Sequence, residues 1–441
     1  MRESDWARVD YYGRKILQLQ LCSCIKPTGG VHASADVLRD ICAYRPVHVL
    51  LPHLRAISVE LGCIPWHSLA PFFQALIGPE LRSISITPDE DDDQSAGTSD
   101  LPRIFSCVSR LSPNVQTVRL VTKFMRSLSG AAATALSDLI CALNDLRQVS
   151  YPCHLSEQAI RHLGDLPNLK KIGCLAIPPH HFPFYTTSNN RFPALTAFDF
   201  MIFDWSSAGE LIHAMRCHFS SLTISTDPRE AVLASSADLD RLMQSMRFHP
   251  LCTSLSAFSL SGPGISIDNQ TSISYILRPL FDCPALKQLS LGFHGVNALT
   301  DEWLADAAAS WPRLRILATW VDRGEPHMTL AGLIPLIKYC PDLYCIRLSI
   351  FAKPVDPSLH AGIFNNHTHL LYLRAPRIVT PAEVCRSLVL MFPRLEGVFV
   401  DGERPEDTSH WEWINTYLER KGNGIRNRRL PNMAHMPSCC I

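Results

Sequence analysis

One spacing of apolar residues recurs through the chain: an apolar residue, two free positions, an apolar residue, one free position, and an apolar residue. "LPNLKKIGCL" carries it as Leu169, Ile172 and Cys174. The same phrase appears as "LRAISV" at Leu54, "LRSISI" at Leu81, "VQTVRL" at Val115, "LRQVSY" at Leu146, "LTAFDF" at Leu195 and "FSSLTI" at Phe219. It continues as "LSAFSL" at Leu255, "LKQLSL" at Leu286, "LRILAT" at Leu314, "LYCIRL" at Leu343, "LLYLRA" at Leu370 and "LEGVFV" at Leu395, and "ILQLQL" at Ile16 precedes them all.

Between Leu54 and Leu395 the copies follow one another about every 28 residues, which chance matches to so loose a pattern would not do. Each copy is preceded by an amphipathic, helix-like stretch and a break, often written around proline. In "TDEWLADAAASWPRLRILATW" Thr300 is placed to cap a helix, and Asp301 and Glu302 fall in its first turn, where the helix dipole favours anions. Pro312 then bars continuation.

The phrase after the break alternates as a strand does. Leu317 and Thr319 point to one side and Ile316 and Ala318 to the other. Strands joined through helices run parallel, with right-handed crossovers. Strands about 4.8 Å apart cannot keep step with helices about 9 Å apart unless the stack curves with its sheet inside. The expected fold is therefore α/β, a leucine-rich-repeat solenoid or horseshoe with a parallel sheet on the concave face and helices on the convex face.

The pattern divides the chain into a lead-in segment and first cap repeat over residues 1–44, repeats over 45–402, and a C-terminal capping helix with a basic tail over 403–441. "SHWEWINTYLERKGNG" reads as the last helix, with Ser409 as its cap and Gly422 or Gly424 as its stop. Three stretches fall outside the rhythm and read as surface loops: "TPDEDDDQSAGTSD", "AIPPHHFPFYTTSNN" and "STDPREAVLASSADLD". The carboxylates of the first lack the ligand spacing of a calcium loop. His180 and His181 in the second are adjacent and point in different directions, as exposed loop histidines do.

Composition narrows the function. The 41 basic and 41 acidic residues cancel, so nothing calls for nucleic acid or an anionic membrane as partner. No apolar run reaches the length of a membrane span, and the charged opening "MRESDWARVD" is not a signal peptide. The 16 cysteines are scattered singly, apart from Cys22 with Cys24 and Cys439 with Cys440, as buried thiols of a reducing compartment are. The expected location is cytoplasmic, nuclear or both.

No phosphate loop, metalloprotease motif or nucleophile elbow is present, and no cofactor is expected. Asp199 and Asp204 in "FDFMIFDW" are explained by a repeat strand and its exit loop. The chain is therefore expected to bind rather than catalyse, as a monomer with a protein ligand on its concave face. Residues at the third, fifth and seventh positions of each copy face that side. Early copies offer small or polar groups there: Ala56, Ser58, Glu60, Ser83, Ser85 and Thr87. Late copies offer Trp320, Arg347, Tyr372, Arg374, Phe399 and Asp401, the residue types that dominate binding hot spots.

Ser4 to Leu21, "SDWARVDYYGRKILQLQL", together with the proline-opened repeats, resembles the fungal F-box proteins with leucine-rich repeats. Trp6, Tyr11, Tyr12, Arg14, Leu19 and Leu21 fit the junction between F-box and first repeat. The resemblance implies the substrate-recognition part of a Skp-cullin-F-box type ubiquitin ligase, with other subunits performing transfer. Five residues precede Trp6, so the F-box itself is expected to be truncated, lost or upstream, and a Skp-type adaptor is a partner only if it exists. "LPRIFSCVSRLSP" at Leu101 imitates an F-box opening but sits in repeat phase and reads as a repeat helix. The alternative is a free-standing repeat scaffold with no ubiquitin role.

Overall fold

The computed structural model describes residues 3–21, 43–44, 49–60, 66–87, 101–120, 130–151, 153–177, 192–202, 205–215, 217–226, 235–247, 249–262, 272–293, 296–320, 326–374, 378, 380–401 and 405–422. The tips of the three expected loops, Asp204, His180, His181, the paired cysteines and the basic tail lie outside them.

The repeated phrase is a strand at every copy. In chain order the strands are β1 (Gln18–Leu21), β2 (Ala56–Glu60), β3 (Ser83–Thr87), β4 (Thr117–Leu120), β5 (Gln148–Ser150), β6 (Lys171–Ile177) and β7 (Ala197–Ile202). They continue as β8 (Ser221–Thr226), β9 (Ala257–Ser261), β10 (Gln288–Gly292), β11 (Ile316–Trp320), β12 (Cys345–Ser349), β13 (Leu370–Arg374) and β14 (Gly397–Asp401). They form one 14-stranded sheet in which strand order is sequence order. Neighbours such as β2 and β3 or β12 and β13 pair in parallel without slip. The α/β leucine-rich-repeat architecture expected from the spacing is the one observed.

Contacts divide the chain into two compact units. The first comprises Met1–Met201 with Ala214–Cys217, and the second Ile202–His213 with His218–Ile441.

In the first unit, Leu54, Leu81, Val115, Leu146, Leu169 and Leu195 open their copies and are all buried. The next residue of each copy carries a second backbone ladder. The Arg82 N–H donates to the Arg55 carbonyl at 2.8 Å, Gln116 to Arg82 at 2.7 Å, Arg147 to Gln116 at 2.8 Å and Lys170 to Arg147 at 2.8 Å. Each of these carbonyls accepts again from the first strand residue of the following copy, as Arg55 does from Ser83 at 3.0 Å. Two N–H groups of every turn are thereby satisfied before the sheet begins.

Alternation is clean in these strands. Ile57, Val59, Ile84 and Ile86 are buried while Ala56, Ser58, Ser83, Ser85 and Thr87 are half-buried on the other side. The helices Leu101–Leu111, Gly130–Ala142 and Glu157–Asp165 pack on one another in turn, so "LPRIFSCVSRL" is a repeat helix. Ser156 caps the last of them by accepting from the Ala159 N–H at 3.3 Å. At the start, the helix Glu3–Gly13 buries Trp6 and leaves Tyr11 and Tyr12 exposed, with the Lys15 ammonium 3.9 Å above the Tyr11 ring.

In the second unit Thr300 caps the helix Asp301–Ser310 as expected, accepting from the Trp303 N–H at 3.4 Å. Its Trp303 and the following Trp311 meet edge to face at 5.9 Å, Phe281 joins them, and the Trp311 indole donates to the Leu280 carbonyl at 3.0 Å. Not every segment on the helix side of the sheet is a full α-helix. Proline divides "TSISYILRPLFD" into a short helix, Ile273–Ile276, and a 3₁₀ turn, Arg278–Asp282, because Pro279 supplies no N–H.

Two sequence expectations need correction here. The copy placed at Leu370 begins two residues earlier. β13 pairs Leu370 with Cys345, so Thr368 occupies the buried opening position. Thr368 is fully buried because its hydroxyl donates to the Leu343 carbonyl at 2.8 Å, a polar solution that a search for apolar residues passes over. The Glu396 N–H on the His369 carbonyl at 2.8 Å confirms the register. The last helix spans Pro405–Gly422, so Ser409 lies within it rather than capping it, and Gly422 is its final residue.

Candidate functional site

The open side of the sheet is a grid. One row takes the fifth position of each copy and the next row takes the seventh. In the second unit the corrected register aligns Arg347, Tyr372 and Phe399 across β12, β13 and β14 in the first of these rows. The second row aligns Ser349, Arg374 and Asp401. Residues read as third and fifth positions of a copy at Leu370 are therefore fifth and seventh positions, still on the open side because a slip of two preserves strand parity.

Parallel pairing brings Tyr372 and Phe399 into a stack with ring centroids 4.9 Å apart and planes 10° from parallel. Both rings are half-buried. The stack lies on the open side of the sheet, with Arg347 next in the row. Trp320 ends β11 opposite Gly292. For Trp320, Arg374 and Asp401 the backbone positions are described and the side chains are not.

Toward β10 and β11 the open side is more closed. Ser290, Ile316 and Ala318 are buried there, unlike the half-buried polar residues of early copies.

The first unit has a different open side. Arg119, Ser150 and Gly173 align across β4, β5 and β6. The Arg119 guanidinium donates to Gln148 Oε1 at 2.9 Å. Asp199, which the sequence reading assigns only to a repeat strand, stands beside Gly173 on this face. Burial pushes its carboxyl up to about 6, partly offset by the charge of Lys171. The available signal was the succession of Ser, Gly and Asp at the fifth positions of "LRQVSY", "LKKIGC" and "LTAFDF".

Among the described residues no group of three or more His, Cys, Asp or Glu is placed to hold a metal ion, and no helix is long and apolar enough to cross a membrane. Cys153, Cys252, Cys283, Cys340 and Cys385 are buried free thiols. Burial pushes the Cys153 and Cys340 thiols up to about 12, which makes them poor nucleophiles.

No protein-family model and no curated protein sequence matches the chain. Solved structures do. The chain is similar to a protein in the crystal structure of the Rad7 and Elc1 complex in yeast, at 13% identity and a TM-score of 0.50, over 91% of this chain and 90% of that one. It is also similar to the leucine-rich-repeat-containing protein LegL7 from Legionella pneumophila, at 12% identity and a TM-score of 0.39, over 84% of this chain and 98% of that one. At 13% identity the likeness to the first of these is one of fold.

Proposed function

We propose that the chain is a non-catalytic protein-interaction module that holds a protein partner on the open side of its sheet, and that it serves as the substrate-recognition part of a Skp-cullin-F-box type ubiquitin ligase. In this reading residues 45–402 are the working array, 1–44 lead in from the ligase side and 403–441 close the far end. The protein acts as a monomer in the cytoplasm, the nucleus or both.

The Tyr372–Phe399 stack carries the reading. Two half-buried aromatic rings held flat by neighbouring strands present rigid apolar area at little entropic cost, and an arginine adjoins them. Trp320, Arg374 and Asp401 extend the same surface in the proposal. The ligase role is supported by the F-box-like junction around Trp6, Tyr11 and Tyr12. The similarity in fold to a protein solved in the Rad7 and Elc1 complex points the same way.

Two experiments test the two parts. Partners recovered with the wild-type chain are compared by quantitative mass spectrometry with those of the Arg347→Ala, Tyr372→Ala, Phe399→Ala triple variant. Truncating hot-spot residues should deplete a specific partner at least about tenfold. A partner retained undiminished by a folded triple variant overturns the docking surface. For the ligase role, a purified Skp-type adaptor is offered to this chain and to a version extended upstream in its gene. An extended version that ignores the adaptor removes the ligase role and leaves a free-standing scaffold.

A further inference from the structure

Two thiols meet on the helix side of the second unit. Cys252 and Cys283 stand three residues before Leu255 and Leu286, the opening residues of consecutive copies, at the place that Leu143, Leu166 and Phe392 hold elsewhere. Stacking of repeats sets such equivalent positions side by side. Cys283 Sγ donates to Cys252 Sγ at 3.1 Å, and Cys252 Sγ donates onward to the Met246 carbonyl at 3.1 Å. Cys340, at the same place two copies later, gives its proton to backbone carbonyls instead, Trp311 at 3.3 Å and Ala308 at 3.8 Å.

The backbone around the pair is fixed. Cys252 lies in the short helix Leu251–Ser254, and Cys283 follows the 3₁₀ turn Arg278–Asp282. Their neighbours in sequence, Leu251, Leu255, Leu280 and Leu286, are fully buried. Arg247 Nε and Asp282 Oδ2, 2.9 Å apart, tie the same two copies together at the surface. A disulfide holds its sulfurs about 2.05 Å apart, so this pair has about 1 Å left to close.

The two sulfurs are not alike. Cys283 is fully buried, whereas Cys252 keeps 5% of its surface exposed. The bond from Cys283 draws the Cys252 thiol below its ordinary value and holds that of Cys283 above, while burial and the charge of Asp282 oppose the thiolate at both. Cys252 is therefore the readier thiolate and the sulfur that a small reagent reaches first.

We propose that Cys252 and Cys283 form a redox-active dithiol, a modification site at which hydrogen peroxide converts the pair into a disulfide that staples two consecutive repeats. The Cys252 thiolate attacks one peroxide oxygen and the O–O bond breaks. The departing hydroxide takes up the Cys252 proton as water, and a sulfenic acid remains on Cys252. Cys283 Sγ then attacks Cys252 Sγ, the S–O bond breaks, and the second hydroxide leaves as water with the Cys283 proton. The two thiols lose two electrons and the peroxide gains them, and a dithiol reductant reverses the change by exchange. The new bond joins residues 31 apart, so it restricts the unfolded chain and resists separation of the two repeats. The inference does not depend on the docking surface around Tyr372 and Phe399.

The test treats the folded full-length chain with hydrogen peroxide, blocks the remaining thiols with N-ethylmaleimide, and maps linked peptides by mass spectrometry without reduction. The Cys252–Cys283 link should exceed every other cysteine pair at least about tenfold, as contact between the thiols in the folded chain requires. It should vanish with dithiothreitol, and the oxidised chain should melt at a higher temperature than the reduced one. Cys283→Ala should halt the reaction at a Cys252 sulfenic acid, which dimedone traps, and Cys252→Ala should yield neither link nor adduct at Cys283. Links scattered evenly among the cysteines, a Cys252–Cys283 link that forms only in urea, or both thiols still free in the treated wild-type chain would overturn the proposal. These wild-type outcomes stand even where a variant fails to fold. A dimedone adduct absent from Cys252 in folded Cys283→Ala would overturn the order of attack.

Discussion

The side-chain amide of Asn415 completes both hydrogen bonds of Val398. Nδ2 donates to the Val398 carbonyl at 2.8 Å, and Oδ1 accepts from the Val398 N–H at 2.8 Å. Val398 sits in β14, the terminal strand of the sheet, so the last helix supplies through one residue what a further strand would have supplied. Its Trp411, Ile414 and Leu418 are buried.

Removing this amide should uncover the sheet edge. Asn415→Ala leaves a buried N–H and carbonyl without partners, at about 1–3 kcal/mol each before water or rearrangement compensates. The expected result is a lower melting temperature together with concentration-dependent association through the bared edge, because unpaired strand edges template pairing. Light scattering over a concentration series checks the second effect, and a variant that melts early yet stays monomeric would confine Asn415 to a local role.

The Asp199 carboxyl is pushed up to about 6 by burial, from the ordinary carboxylate value near 4. The folded chain therefore holds this proton more tightly than the unfolded chain does. The associated stability is fully present below pH 4 and is lost as pH rises through 6. Asp199→Asn removes the dependence, so the variant should exceed wild type by about 1–3 kcal/mol at pH 8 and by little at pH 4. Denaturant titrations of both proteins at the two pH values measure the difference. An equal offset at both would mean that the carboxyl titrates normally.

The opening motif makes a sharper pair of substitutions. Leu169 is fully buried where its copy begins, whereas Lys171 is exposed on the open side two residues later. Leu169→Asp replaces a buried side chain worth about 1.5–3 kcal/mol with a charge that has no partner, and should cost more than 4 kcal/mol or prevent folding. Lys171→Ala should change stability by no more than surface substitutions do, roughly ±0.5 kcal/mol. Thermal melts of the two decide whether the repeat register holds at this copy.

The fold was legible because its determinants are periodic and apolar: the residues at the start of each copy form a core line that hydrophobicity reports directly. The register failed at Thr368 because a buried hydroxyl bonded to a carbonyl does the work of a leucine there. Ser409 was misplaced because a helix start is set by backbone geometry, and serine is tolerated inside helices as well as at caps. Of the expected site, the strand parity of Arg347, Tyr372 and Phe399 was legible, but their alignment in one row waited on the correct register.

Asp301 joins two repeats of the second unit. Its carboxylate accepts from the Thr329 N–H at 2.7 Å and from the Thr329 hydroxyl at 2.6 Å, one repeat further on. The approach is so close that a Cβ on Gly332 would collide with Asp301 Oδ1 and lie 2.9 Å from Leu304 Cδ1. Gly332 has φ of −62°, so backbone strain does not exclude alanine, which by helix propensity alone would be preferred. The two effects oppose each other, and the collision is larger, because overpacking costs about 1–3 kcal/mol against the about 1 kcal/mol that alanine gains over glycine. Gly332→Ala should therefore destabilise. Asp301→Ala should destabilise as well, by leaving the Thr329 N–H unpaired. The double variant should lose less than the sum, since removing the carboxylate frees the space that the new methyl needs. A double-mutant cycle by chemical denaturation measures this, and strict additivity would show that Gly332 is required for some other reason.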